Sequence, residues 1–209
     1  MARTAGTRLP GPRLKGVKRR VKLAPWVATP REIVAEALSF MGLSERDRFV
    51  DLGCGDGRVV IYASKYLGAR SLCVELDEDL CVLAELNIAR NGVSGLAEVQ
   101  CVDLFEVPLY EFTAVYIYMF KSVNELIAPK LEAELPLGAR ILTLDFPVPG
   151  WIPARVKRLV DGAGIVRALY SYIRGVSDPG SLVKAVRVDA DPTRILKVMG
   201  GGARRNQRR

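Results

Sequence analysis

Apolar and polar positions follow two different rhythms along this chain, and the changes of rhythm mark its elements. Ile33, Val34, Ala37, Leu38 and Met41 recur at helical spacing. Thr29-Pro30-Arg31-Glu32 before them has the spacing of a capping box, with Thr29 as N-cap, and Gly42 supplies the stop. This helix is expected to pack as a lid beside the first strand. Apolar runs at 48–52, 71–75, 97–102, 113–119 and 140–146 read as strands, separated by helical patterns at 57–67, 78–91 and 123–135. Pro129 predicts a kink or break near Ala128. Beyond 146, Pro147, Pro149, Gly150 and Pro153 exclude a long helix, and Asp161-Gly162-Ala163-Gly164 joins runs at 155–160 and 165–173 into a hairpin. Strand-helix alternation closed by a hairpin predicts one α/β domain. Its doubly wound sheet has seven strands, parallel except the last strand, and its ligand crevice lies where the strand order reverses.

At the end of the first strand stands Asp51-Leu52-Gly53-Cys54-Gly55-Asp56-Gly57-Arg58. Glycines at alternate positions suit a tight turn against a small ligand, because a side chain would block either positive φ or the approach of the backbone. The spacing is not G-x-G-x-x-G: the third glycine comes one residue early and Arg58 follows it. Asp51 and Asp56 would also repel a pyrophosphate at close range. A cationic ligand without phosphate fits better, and S-adenosyl-L-methionine (SAM) carries both a sulfonium and an ammonium. Glu75 ends the second strand where an acid gripping ribose hydroxyls belongs. Asp103-Leu104-Phe105 follows the third, offering a carboxylate to an adenine amino group and apolar side chains to the ring. An ordinary α/β turn with helix-capping acids is the alternative, weakened by three successive strands that each end in an acid.

Composition bounds the rest. At 209 residues and 49% hydrophobic content, the chain is long enough for one full core. It shows no run of eighteen apolar residues and no signal-peptide pattern, so a soluble cytoplasmic protein without membrane association is expected. Cys54, Cys73, Cys81 and Cys101 form no C-x-x-C pair and there is no histidine, so neither a metal site nor a disulfide framework is expected, and the cysteines read as small core hydrophobes. The missing imidazole also excludes Ser-His and Cys-His nucleophiles. The net charge of +8 is unevenly spread: eight lysines and arginines without an acid up to Lys22 and four arginines from Arg204 to the end form two basic arms, and the rest of the chain is mildly acidic. The chain accordingly divides into a basic disordered arm (1–22), a folded domain (23–175) and an extension with a basic flexible end (176–209). Such arms either bind nucleic acid or keep the protein soluble.

The acid-and-glycine set resembles the SAM site of the seven-strand, Rossmann-like class I methyltransferases. Trp26-Val27-Ala28-Thr29-Pro30, Ser122-Val123-Asn124, Pro129-Lys130-Leu131 and Gly150-Trp151 narrow the likeness. Together they resemble the small archaeal protein-lysine methyltransferases, whose eukaryotic relatives modify a lysine of a mitochondrial ATP-synthase subunit. The resemblance, over about 23–175, implies SAM as cofactor, S-adenosyl-L-homocysteine as product and proteins with accessible lysines as substrates. It implies SAM contacts from Trp26, Thr29, Asp51, Gly53, Gly55, Gly57, Glu75, Asp103, Leu104 and Phe105. The catalytic candidates are Tyr118, Asn124 and Trp151; Tyr116, Tyr118 and Phe120 alternate along the fourth strand, and Tyr118 is the best placed to meet a target nitrogen. An RNA methyltransferase using the arms is the enzymatic rival, although Tyr118-Met119-Phe120-Lys121 replaces the Asn-Pro-Pro-Tyr of adenine enzymes. A non-catalytic SAM- or nucleic-acid-binding accessory protein is the other rival. Lys15, Lys18 and Lys22 lie close enough to the domain for automethylation. Oligomeric state is left open.

Overall fold

The computed structural model describes residues 26–181. The N-terminal arm with its lysines and the segment beyond 181 lie outside the described residues. Strands β1 (Arg48–Leu52), β2 (Arg70–Glu75), β3 (Ala97–Cys101), β4 (Ala114–Ile117), β5 (Arg140–Leu144), β6 (Arg155–Val160) and β7 (Val166–Ile173) make one sheet, ordered β3-β2-β1-β4-β5-β7-β6. Helices α1 (Arg31–Met41), α2 (Arg58–Leu67), α3 (Glu78–Arg90) and α4 (Lys121–Glu134) cover it. The first five strands pair in parallel, and β7 runs antiparallel to β5 and β6, as the alternation and the closing hairpin predict. After β3 the chain returns to the far side of β1 to lay down β4, so the order reverses between β1 and β4. A crevice opens there, at their carboxyl ends.

The central strands are buried on both faces, hence their unbroken apolar runs. Phe49, Cys73, Tyr116 and Leu142 face α1, α2 and α3, whereas Val50, Leu72, Val115 and Ile141 face α4 and Trp151. Asp51 shares the parity of Phe49, which sets a carboxylate on the three-helix face at the crevice.

Tertiary contacts override several local signals. The capping box does not form: α1 starts after Pro30 without a side-chain cap. Thr29 Oγ1 instead lies 3.1 Å from Tyr116 Oη, and Glu32 Oε1 accepts from the Gly162 amide at 2.6 Å. Helix α1 rests on α2, β5 and β7 rather than beside β1. Helix α4 runs through Pro129 unbroken, because the proline lies on the exposed side, where the carbonyl it deprives of a partner can be hydrated.

The cysteines correct the expectation of separate thiols. Cys54 is joined to Cys73 and Cys81 to Cys101, leaving no free cysteine among the described residues. Strand register, invisible in the spacing, is the cause. Cys73 pairs in register with Asp51, and the amides of Gly53 and Cys54 both donate to Val74 O, at 2.8 and 3.1 Å, folding Cys54 over β2. Cys101 pairs with Glu75, close to the start of α3 and Cys81.

Candidate active site

The turn after β1 collects the first group of candidates. Gly53, Gly55 and Gly57 all have positive φ. A Cβ on Gly53 would fall 2.8 Å from Met119 Cε, and one on Gly55 only 2.0 Å from Trp26 Nε1, so the backbone surface reserved by these glycines is covered by two side chains. Gly57 has a different role. Its left-handed conformation opens α2, and a Cβ there would press on Ala84 of α3 at 3.2 Å.

Three acids surround the turn, in three different states. The Glu75 carboxylate accepts from the amides of Gly55 (3.0 Å), Leu76 (2.8 Å) and Asp77 (2.9 Å), which fixes it beside the loop. Asp56, expected to add negative charge for a cationic ligand, is neutralised instead: Arg58 Nη2 meets its Oδ2 at 2.6 Å, and Arg58 Nη1 reaches Thr29 O at 2.9 Å. Asp51 is 2% exposed and forms no hydrogen bond or ion pair with another of the described residues. Burial first, then the neighbouring charges of Glu75 and Asp56, push its pKa well above the ordinary aspartate range. A buried carboxylate with no counter-charge among the described residues suits a cationic ligand.

The segment 26–29 crosses the crevice as a strap, clamped at Thr29 O by Arg58 and at Thr29 Oγ1 by Tyr116. The cleft bounded by Trp26, Thr29, Asp51, Gly53, Tyr116 and Tyr118 has a volume of about 10 Å³, room for one water molecule. Tyr116 is a core residue that also lines the cleft, with its hydroxyl on Thr29. Asp103 Oδ1 caps the Phe105 amide at 3.0 Å; Leu104 is buried and Phe105 partly buried on the α4 face.

Tyr118 emerges past the end of β4 into a polar cluster. Its hydroxyl lies 3.3 Å from Asp145 Oδ2, and Arg167 Nη1 donates to it at 3.0 Å. Burial, then Asp145, raise the phenol pKa, against the opposing pull of Arg167. The other two catalytic candidates stand apart from Tyr118. Asn124 is fully buried; its Nδ2 donates to Phe146 O at 2.8 Å, while its Oδ1 has no partner. Trp151 is 6% exposed and packs edge-on against Tyr172, with ring centres 6.0 Å apart. It lies in the core of the α4 face, away from the cleft.

Sequence reasoning missed Arg58, Met119 and Arg167 as site residues. Arg58 was legible as a lone cation among the turn acids, and Arg167 as a charge inside an apolar strand. Met119 gave no signal.

The profile of the ANTKMT methyltransferase domain matches residues 51–155. A protein-lysine N-methyltransferase of Saccharolobus islandicus is 37% identical over 152 residues, covering 72% of this chain and 94% of that protein. The adenine nucleotide translocase lysine N-methyltransferase of Mus musculus is 34% identical, over 80% of this chain and 74% of its own. Among solved structures, an RNA methyltransferase from Salinibacter ruber in complex with S-adenosyl-L-homocysteine superposes with a TM-score of 0.66 at 37% identity, covering 70% of this chain and 93% of that one.

Proposed function

The chain belongs to the ANTKMT methyltransferase-domain family, and from that premise we propose that it transfers the methyl group of SAM to the ε-amino group of lysines in proteins. The lysine assignment rests on the likeness to the Saccharolobus lysine methyltransferase over nearly that protein's whole length. The cofactor assignment has its own support in Asp51, buried at a glycine turn with no counter-charge among the described residues.

When bound, SAM supplies an electrophilic methyl group on a sulfonium. Asp51 balances its positive charge, Glu75 accepts from the ribose hydroxyls, and Asp103 with Leu104 and Phe105 receives the adenine. Gly53 and Gly55 give it backbone to lie on, and Trp26 and Thr29 close the amino-acid end. Gly57 serves by setting the turn. Tyr118 faces the acceptor. Phe120 and Phe146, edge to face at 5.6 Å, offer an apolar wall where a lysine is desolvated. That matters because a lysine of pKa near 10.4 is neutral only to about one part in 2,500 at pH 7, and both desolvation and a nearby cation lower that pKa. Asn124 holds Phe146 by its backbone carbonyl, and Trp151 backs the same segment through Tyr172, whose hydroxyl accepts from the Val148 amide at 2.9 Å.

A second reading has a specific observation behind it: the Salinibacter relative is an RNA methyltransferase, and both arms of this chain are rich in arginine. Incubation with methyl-labelled SAM and an extract of the source organism separates the two. Label that survives nuclease and disappears with protease supports the lysine reading; label lost to nuclease moves the acceptor to nucleic acid. A cytoplasmic location is part of the proposal.

A further inference from the structure

The phenol of Tyr118 is held from two sides. Its hydroxyl proton points to Asp145 Oδ2 at 3.3 Å, a carboxylate oxygen that only accepts. Arg167 Nη1 donates to the phenol oxygen at 3.0 Å and to Asp145 Oδ2 at 2.7 Å. A hydroxyl offers one proton and two acceptor positions. Here the proton and one acceptor position are taken, and the oxygen keeps its last acceptor position for a donor in the cleft that Tyr118 lines.

The holders are themselves immobilised. Asp145 is the one residue other than glycine with a positive φ among the described residues, at 62°. Such a conformation is unfavourable for an L-residue and persists only where its surroundings enforce it. Its amide donates to Ala168 O at 2.7 Å and its Oδ1 accepts from the Ala168 amide at 3.1 Å, so the carboxylate is fixed by β7 at both ends. Arg167 is pinned in turn by Asp161, whose Oδ2 accepts from Nε at 2.8 Å. Asp161 is locked into the hairpin turn by the amides of Ala163 (3.0 Å) and Ile165 (2.9 Å). The β6–β7 hairpin thus ends in a chain of charged groups that stops at one phenol oxygen.

We propose, resting on the methyl-transfer reading above, that Arg167 and Asp145 are positioning residues that fix Tyr118 as a hydrogen-bond acceptor for an N–H of the incoming amine. A neutral amine has one lone pair, and holding one of its N–H bonds on the phenol oxygen restricts where that lone pair can point. The amine gives the lone pair to the methyl carbon as the carbon–sulfur bond breaks and its electron pair leaves with sulfur; the amine then sheds one proton to water. Two carboxylates around one guanidinium also leave the cluster net negative, which draws a cationic lysine to the cleft.

The test is a double-mutant cycle between Tyr118→Phe and Arg167→Met, with kcat, acceptor KM and SAM affinity measured for each protein. A second readout is the ¹³Cζ resonance of Tyr118 in ligand-free protein. Arg167→Met should lower kcat about tenfold or more with SAM affinity unchanged, yet cost less than about twofold when Tyr118 is already Phe. Arg167→Lys should recover part of the loss, and the Tyr118 resonance should move in both Arg167→Met and Asp145→Asn. Equal losses in the two backgrounds, or a Tyr118 resonance that stays in place, would overturn the assignment. If Arg167→Met does not fold, Asp145→Asn and Arg167→Lys complete the cycle. Should the label fall on RNA, the lysine reading fails and the same cycle is read on RNA; transfer to neither acceptor overturns both.

Discussion

The indole of Trp26 lies directly on Gly55, so closely that a Cβ on that glycine would stand 2.0 Å from Nε1. The strap and the turn therefore share one surface, and the cleft beneath has no room for a nucleoside.

SAM binding should move Trp26. The other tryptophan, Trp151, is buried in the core, so the emission change on titrating S-adenosyl-L-homocysteine belongs to Trp26 and should vanish in Trp26→Phe. Gly55→Ala should weaken SAM at least about tenfold by calorimetry, because alanine is strained at φ 58° and meets the indole. An unchanged emission spectrum at saturating ligand would count against the shared surface.

Asp51 makes the ligand-free protein pH-sensitive in a definite direction. Its native pKa is raised, so it binds its proton more tightly folded than unfolded. Its stabilising effect is full below the unfolded value of about 3.9 and is lost as pH rises through the raised native value. SAM affinity should run the opposite way, growing as Asp51 ionises. Asp51→Asn should flatten both trends, raise the ligand-free melting temperature near neutrality and weaken SAM binding. A melting profile that keeps its pH dependence in Asp51→Asn would contradict this.

The Cys54–Cys73 disulfide ties the cofactor turn to β2 across 19 residues of sequence. Closing a loop of that size stabilises by roughly 3 kcal/mol in the chain-entropy treatment. Cys54→Ser with Cys73→Ser should lower the melting temperature and loosen the turn, so SAM affinity should fall as well. Equal SAM affinity before and after reduction would show that backbone bonds to Val74 hold the turn unaided.

At the opposite end of the sheet, Asp47 joins three elements. Its carboxylate accepts from Arg140, from Thr113 Oγ1 at 2.7 Å and from the Ser44 amide at 2.9 Å. Burial raises its pKa, but these hydrogen bonds outweigh that and leave it lowered. Its contribution is present above about pH 3.9 and is lost as pH falls through the lowered native value. Asp47→Ala should cost about 2–3 kcal/mol in denaturant unfolding near neutral pH, and progressively less as pH falls through the lowered native value. Methyl transfer per folded molecule should not change.

The periodic elements were legible because each is apolar on the faces it buries. The runs 48–52 and 155–160 match β1 and β6 residue for residue, and the strand-ending acids led to the crevice. What failed depended on register and on partners distant in sequence. Nothing local reveals that β1–β2 pairing brings Cys54 to Cys73, or that Tyr116 and Gly162 draw Thr29 and Glu32 away from a cap. Asp56 was misread because Arg58, two residues on, turns back to neutralise it. Trp151 shows the limit of motif reading: a tryptophan beside a proline-rich turn fits a channel wall or a core equally well, and the site of Tyr172 decides.

The central claim is methyl transfer from SAM to protein lysine, and tandem mass spectrometry of proteins labelled by the purified enzyme tests it most directly. Methyl-mass increments on lysine side chains, absent when Asp51→Asn or Gly55→Ala replaces the wild type, are the predicted result. Label confined to nucleotides, or increments on glutamine or arginine with lysine unmodified, would contradict it.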